Sequence, residues 1–344
     1  VRLILDGVFH HTSFFHPYFQ DLIRNGENSR YRDFYRPLKF PVVTREFLNT
    51  LEEDMPWREK YRVLKGLGWD YEAFFSVWLM PRLNHDNPEV VDLIAEVMNH
   101  WLGKGADGWR LDVAHGVPPE VWREVRRRLP AEAYLFGEVM DDGRPWLFDA
   151  FHGVMNYRLY DALLRFFVLG EIDARGFLNE LNLLSTYYGP AEYFTYNFLD
   201  NHDVPRFLDL VEGDAGSYLC ALAFLMTYKG IPALFYGDEV GLRGGGEGMG
   251  TGRAPMEWDE GKWNREILNV TRALIKMRRE SRALQLGEFV PLRFKGQTVA
   301  YDRVYNGESV SVVIDYPDGG KHCRFEIQRR YKGTPQRFEY GYER

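Results

Sequence analysis

Gly108-Trp109-Arg110-Leu111-Asp112 is the stretch on which the fold turns. Apolar Trp109 and Leu111 alternate with charged Arg110 and Asp112, the two-residue period of a strand, so Arg110 and Asp112 leave it on one side. The amphipathic stretch 119–128 follows after a short turn, which makes one strand–helix unit. The same pattern repeats outward. Candidate strands fall at 2–5, 108–113, 134–136, 151–155, 196–199 and 233–236, with helical patterns at 88–102, 119–128, 157–168, 174–184 and 217–228. Strand alternating with helix predicts a parallel α/β fold. Asp6, Asp112, Glu138, Asp203 and Asp238 are expected at the C-terminal ends of these strands, the rim where a β/α barrel collects its chemistry. An open doubly wound sheet would also place ligands there. It finds no support in a GxGxxG or Walker loop, and Gly244-Gly245-Gly246 reads as a loop.

The bulk figures exclude several classes. The chain has 344 residues, 45% apolar and 27% charged, with a net charge of −7. This length predicts one large domain plus an appendage. The acidic balance argues against nucleic acid, which needs clustered Lys and Arg. Arg126-Arg127-Arg128 reads instead as the basic last turn of a helix. No apolar run reaches the ~20 residues of a membrane span. The first residues lack the features of a secretory signal, so a cytoplasmic protein is expected. Cys220 and Cys323 stand far apart in sequence, form no metal-type pair and are expected as reduced structural thiols. Aromatic residues make up 16%; a large core accounts for most, and the excess favours a carbohydrate site, because rings stack on sugar C–H faces.

Four segments carry candidate chemistry. Arg110 beside Asp112 is expected to keep that carboxylate ionised, as a nucleophile requires; a purely structural ion pair is the alternative. Glu138, after the apolar strand end Phe136-Gly137, can sit partly desolvated with a raised pKa, as a general acid requires; a surface glutamate at a turn is the alternative. Asp200-Asn201-His202-Asp203 is a polar cluster that binds polyols, coordinates a metal or forms a buried network. His10 and His11, with His16 nearby, invite a metal reading. Neighbouring residues of an extended segment point to opposite faces, so these two are not expected to share an ion, and no metal site is expected.

In order along the chain, Asp6-Gly7-Val8-Phe9-His10-His11, the stretch from Gly108 to His115, Gly137-Glu138-Val139 and Phe198-Leu199-Asp200-Asn201-His202-Asp203 resemble the four signature regions of the α-amylase family of glycoside hydrolases. Met80-Pro81-Arg82-Leu83 resembles a motif of its neopullulanase, cyclomaltodextrinase and maltogenic amylase branch, of archaeal type. Tyr236-Gly237-Asp238-Glu239 and Pro255-Met256-Glu257-Trp258 are similar to the family's last barrel strand and loop. The resemblance implies a (β/α)8 TIM barrel acting on an α-glucan substrate. Cyclodextrins, maltodextrins or pullulan would be cleaved at α-1,4 bonds by double displacement with retention. It implies Asp112 as nucleophile, Glu138 as general acid/base and Asp203 as the group gripping sugar hydroxyls. Arg110 would orient the nucleophile, and His11, His202 and Arg253 would bind substrate.

Departures from the family pattern are part of the reading. His10 stands where many relatives have a calcium-binding asparagine, so calcium is not expected there and no cofactor is required. Met140 replaces a tryptophan common on the acceptor side, and Met249 an aspartate that pairs with the arginine at Arg253. The expected organisation is a catalytic barrel core over 1–284 with an inserted subdomain at 13–87, then a C-terminal antiparallel β domain over 285–344. Asn306-Gly307 marks a hairpin in that domain, while the tail after Asp318 does not read as its normal end. About six of the eight strands of a barrel are visible, so the N-terminal pair is expected to be missing, together with a segment that forms homodimers in the full-length protein. A chain without them is expected to be unstable alone. A glucanotransferase or sugar isomerase of the same fold, a non-catalytic glucan-binding relative and a metallohydrolase are the competing readings.

Overall fold

The computed structural model describes residues 1–140, 142–244, 252–317, 322–331 and 334–341. The chain divides into two compact units, Val1–Val154 and Met155–Arg344.

In the first unit, β1 (Ile4–Val8) leads into α1 (Pro17–Asn25), α2 (Arg45–Glu52) and α3 (Trp57–Leu67), followed by α4 (Pro88–Gly103), β2 (Gly108–Asp112), α5 (Pro119–Arg127), β3 (Tyr134–Gly137) and β4 (Gly153–Val154). The four strands form one parallel sheet in the order β1-β2-β3-β4. α4 starts as its sequence dictates: Asn87 accepts a hydrogen bond from the Glu89 N–H, and Pro88 fills a first-turn position that needs no donor. α5 ends on Arg126 and Arg127, and Arg127 and Arg128 pair with Glu124 on the exposed surface, the solvated helix end expected of this basic run. The strand expected at 2–5 lies at Ile4–Val8 instead. Pairing with β2 rather than local apolarity sets its register, so Asp6 sits in mid-strand opposite Arg110 and not at the strand end.

The second unit contains α6 (Tyr157–Leu163), α7 (Ala174–Tyr188), β5 (Tyr196–Asn197), α8 (Phe207–Leu210), α9 (Ala215–Thr227), β6 (Ile231–Pro232), α10 (Arg265–Glu280) and α11 (Arg282–Leu286). β5 and β6 pair in parallel. The strand expected at 233–236 is thus displaced toward the N-terminus. Gly230, at φ +90°, makes the turn: a Cβ there would meet Asn197 Nδ2 at 2.5 Å. The helix expected through 168 continues past Leu163 as a π turn over Leu164–Val168.

Five strands, β7 (Glu288–Lys295), β8 (Thr298–Tyr305), β9 (Glu308–Asp315), β10 (Arg324–Tyr331) and β11 (Thr334–Tyr340), form an antiparallel sheet in the order β11-β10-β9-β8-β7. Asn306 (φ 44°) and Gly307 (φ 80°) both take positive φ, the two-residue turn their types favour. The tail that read as abnormal therefore supplies two regular strands. Alternate residues of β9, from Val310 through Val312 to Ile314, are buried. α9 is buried on every side. Cys220 on α9 and Cys323 before β10, 103 positions apart, share a hydrogen bond between their thiols. The separation read from the sequence is closed by the fold.

Candidate active site

The side chain of Arg110 organises the first unit's chemistry. Its Nη1 donates to Asp112 Oδ1 and Asp6 Oδ1, each at 2.8 Å, and its Nη2 lies 2.8 Å from Glu138 Oε1. The expected same-side placement of Arg110 and Asp112 is observed, and Glu138 and Asp6 join them. β2 supplies Arg110 and Asp112, the end of β3 supplies Glu138, and the register of β1 supplies Asp6. Glu138 is 3% exposed, and its Oε2 accepts the Val113 N–H at 3.1 Å. Val113 adopts φ +46°, a costly conformation for a β-branched residue. The strain falls at the turn where the β2 backbone reaches the Glu138 carboxylate.

Asp112 feels opposing electrostatic influences. Arg110 lowers the pKa of Asp112, the effect expected of their ion pair, while the net shift is upward. Burial is the largest cause of that rise, and the negative charges of Glu138 and Asp6 add to it.

A second expectation concerned His10 and His11, whose side chains were to diverge. β1 ends at Val8, so strand alternation no longer governs them, and their Nδ1 atoms approach to 3.3 Å. His11 stacks on Phe74, with ring centroids 5.0 Å apart and planes 11° from parallel. It also lines a groove of about 890 Å³ with Val8, Phe9, Phe15, Trp57 and Leu83; none of the groove's lining residues is a carboxylate.

In the second unit the cluster at 200–203 splits into two environments. Asp203 is reached by Arg253 Nη2 at 2.8 Å and His202 Nε2 at 3.1 Å, while Arg253 Nε also donates to the His202 carbonyl. The Asn201 side chain accepts the Asp203 N–H at 2.8 Å. Asp203, His202 and Arg253, named from sequence, are thus brought together. Met249 and the glycines at 245 and 246 lie outside the described residues. Asp200 belongs to a different group. It is 2% exposed, accepts the Phe207 N–H at 2.7 Å and shares a hydrogen bond with Asp238. Fully buried Arg206 donates to Asp238 Oδ1 at 3.0 Å and lies over the rings of Phe235 and Tyr236. Burial pushes Asp200 up to about 6 and Asp238 well above the ordinary range. Arg206 was missed from sequence; its place four residues before Leu210, just after a Val-Pro turn, carries no periodic signal. Among the described residues no group of three or more His, Cys, Asp or Glu side chains is arranged to hold a metal ion.

Parallel strands ending in a carboxylate cluster held by arginine mark the catalytic rim typical of a β/α fold, and comparison with known proteins gives the family. The model of the alpha-amylase catalytic domain matches residues 1–287, and the chain belongs to that family. Its fold class is accordingly the β/α barrel of the TIM type, followed by a C-terminal antiparallel sheet. Similar curated proteins include a cyclomaltodextrinase of Geobacillus thermopakistaniensis, 33% identical over 96% of this chain and 54% of that protein. Another is neopullulanase 2 of Thermoactinomyces vulgaris, 34% identical over 92% of this chain and 51% of that protein. Among solved structures, a cyclic α-maltosyl-(1→6)-maltose hydrolase from Arthrobacter globiformis superposes with a TM-score of 0.81 at 28% identity, covering 92% of this chain and 67% of that one. The chain spans about half the length of the curated relatives it matches.

Proposed function

We propose that the chain carries the catalytic machinery of a retaining α-glucan hydrolase acting on α-1,4-glucosidic bonds in cyclodextrins, maltodextrins or pullulan. Asp112 attacks the anomeric carbon while Glu138 gives a proton to the leaving oxygen. Water then cleaves the glycosyl ester with Glu138 as base. Asp203 grips hydroxyls of the distorted sugar, His11, His202 and Arg253 bind it, and Arg110 orients Asp112. The observation that carries this reading is the sharing of Arg110 by Asp112 and Glu138. A common guanidinium keeps the two carboxyls close, which suits the separation of about 5–5.5 Å used in retention better than the wider gap of inversion. The names of the similar proteins supply the substrate class.

The reaction needs no cofactor, and dialysis against EDTA is expected to leave turnover unchanged. Similarity to the intracellular maltogenic amylase of Bacillus subtilis supports a cytoplasmic setting. No helix among the described residues is long and apolar enough to cross a membrane. The homodimer implied for the longer protein would be read by light scattering. The deciding experiment is NMR of the first product from maltotriose. An α-anomer is expected from the intact site and none from Asp112→Asn; a β-anomer, or undiminished turnover in the variant, would sink the mechanism.

A further inference from the structure

His10 is adjacent to His11, and the two imidazoles turn their Nδ1 atoms toward each other at 3.3 Å. Two ring nitrogens at that distance hold one proton between them: one donates and the other accepts. When both rings are neutral they therefore occupy opposite tautomers, one protonated at Nδ1 and the other at Nε2.

The surroundings hold this arrangement in place. His10 is 6% exposed. The edge of Phe74 meets it at 5.1 Å between centroids, and His85 lies 6.2 Å away. Gly116 packs so close that a Cβ there would stand 2.9 Å from His10 Nε2. Burial, then the charges of His11, Arg82, His85 and His115, push the His10 pKa down to about 3, and burial lowers that of His11. His10 therefore stays neutral through the mildly acidic range, and burial favours the neutral form of His11 as well. His11 is gripped twice, by Phe74 on its face and by His10 at Nδ1.

We propose that His10 is a positioning residue for His11: by sharing one proton between the two Nδ1 atoms it sets the ring plane of His11 and locks its tautomer opposite to that of His10. The outer Nε2 of His11 thereby meets a glucan hydroxyl in the role, donor or acceptor, opposite to that of His10 Nε2. This rests on the reading of His11 as a substrate contact. It goes beyond that reading in naming the residue that presets His11 before sugar arrives.

The test uses the intact chain with maltotriose as probe. Long-range proton–nitrogen NMR of the imidazoles is expected to show opposite tautomers for His10 and His11, and a tautomer mixture at His11 in His10→Phe. The same tautomer at both rings, or an unchanged His11 in the variant, overturns the proposal whether or not the chain turns over sugar. In kinetics, His10→Phe is expected to raise KM about tenfold, the scale of one lost neutral hydrogen bond. His10→Asn, whose amide can donate or accept, is expected to recover most of that loss at equal thermal stability. Equal KM in the Phe and Asn variants would mean that His10 acts by bulk alone, and the proposal falls. His11→Ala separates the two layers: an unchanged KM there removes His11 from the substrate site, while the tautomer measurement still decides the pairing.

Discussion

Two arginine–carboxylate clusters, built from the same side-chain types, behave differently in the two units. Around Arg110 two of the three carboxylates keep contact with solvent: the side chains of Asp6 and Asp112 are 54% and 19% exposed, while that of Glu138 is 4% exposed. Around Arg206 the ion pair with Asp238 is almost dry, at 0% and 4% exposure, and aromatic rings cover the guanidinium. A hydrated cluster can exchange protons and meet a substrate. A dry one cannot be opened without leaving an uncompensated charge, so it serves as a tether between the loop after β5 and the segment after β6. Composition alone does not separate a site from a strut; solvation does.

The sharpest way to break this comparison is to remove one carboxylate from the wet cluster. Asp112→Asn is expected to lower turnover of maltotriose by at least about a thousandfold, because no other side chain supplies the covalent step. Thermal stability should change little. Loss of stability with turnover intact would make the cluster around Arg110 structural after all.

Exchanging the arginines comes next. Arg206→Met is expected to cost roughly 3–5 kcal/mol in urea unfolding, the range for breaking a buried pair. Arg110→Met should cost less than about half of that, since water and proton uptake can relieve its carboxylates, yet depress activity strongly. Equal stability losses would erase the distinction.

The third effect is a pH dependence. Burial raises Asp200 to about 6 from an ordinary value of 3.8. The folded state therefore holds the proton more tightly than the unfolded one, and this group favours folding at low pH. Its contribution fades as pH climbs from about 4 to 6. Asp200→Asn, which keeps an acceptor for the Phe207 N–H, is expected to flatten that part of the wild-type stability curve. Identical pH slopes in the two proteins would show that Asp200 stays ionised in the fold.

The smallest effect concerns the thiols. Burial, aided by the neighbouring sulfur, raises the Cys220 pKa well above its ordinary value, so little thiolate forms at neutral pH. Disulfide reagents are expected to leave both cysteines unlabelled in native protein and to label both in denaturant. Rapid native labelling would mean that the sheet over α9 opens readily.

Much of the fold was legible because its signals are local. Asn87-Pro88 starts a helix by supplying a cap and a preset φ, and Asn306-Gly307 makes a hairpin because both residues tolerate positive φ. The errors came where a partner strand decides. Nothing in residues 2–8 says which five of them pair with β2, so Asp6 was set one feature out of place. β6 shrinks to Ile231–Pro232, and Phe235 and Tyr236 are used as a cover for Arg206 rather than as sheet. In the site, Arg110 beside Asp112 could be read from alternation. Glu138 could be placed at a strand end but not onto the same guanidinium. The inward turn of His10 and His11 was hidden because the strand stops just before them.

By itself the sequence determined the parallel α/β pattern, the hairpin of the C-terminal sheet and the identities of the charged groups available for chemistry. These depend on periodicity, caps and turns, which act over a few residues. Only the tertiary structure decided which carboxylates share Arg110, which one is desolvated with Arg206, how the imidazoles of His10 and His11 face each other, and that Cys220 meets Cys323. Those outcomes depend on register, burial and the dielectric around each group, quantities that come into being only when distant segments pack together.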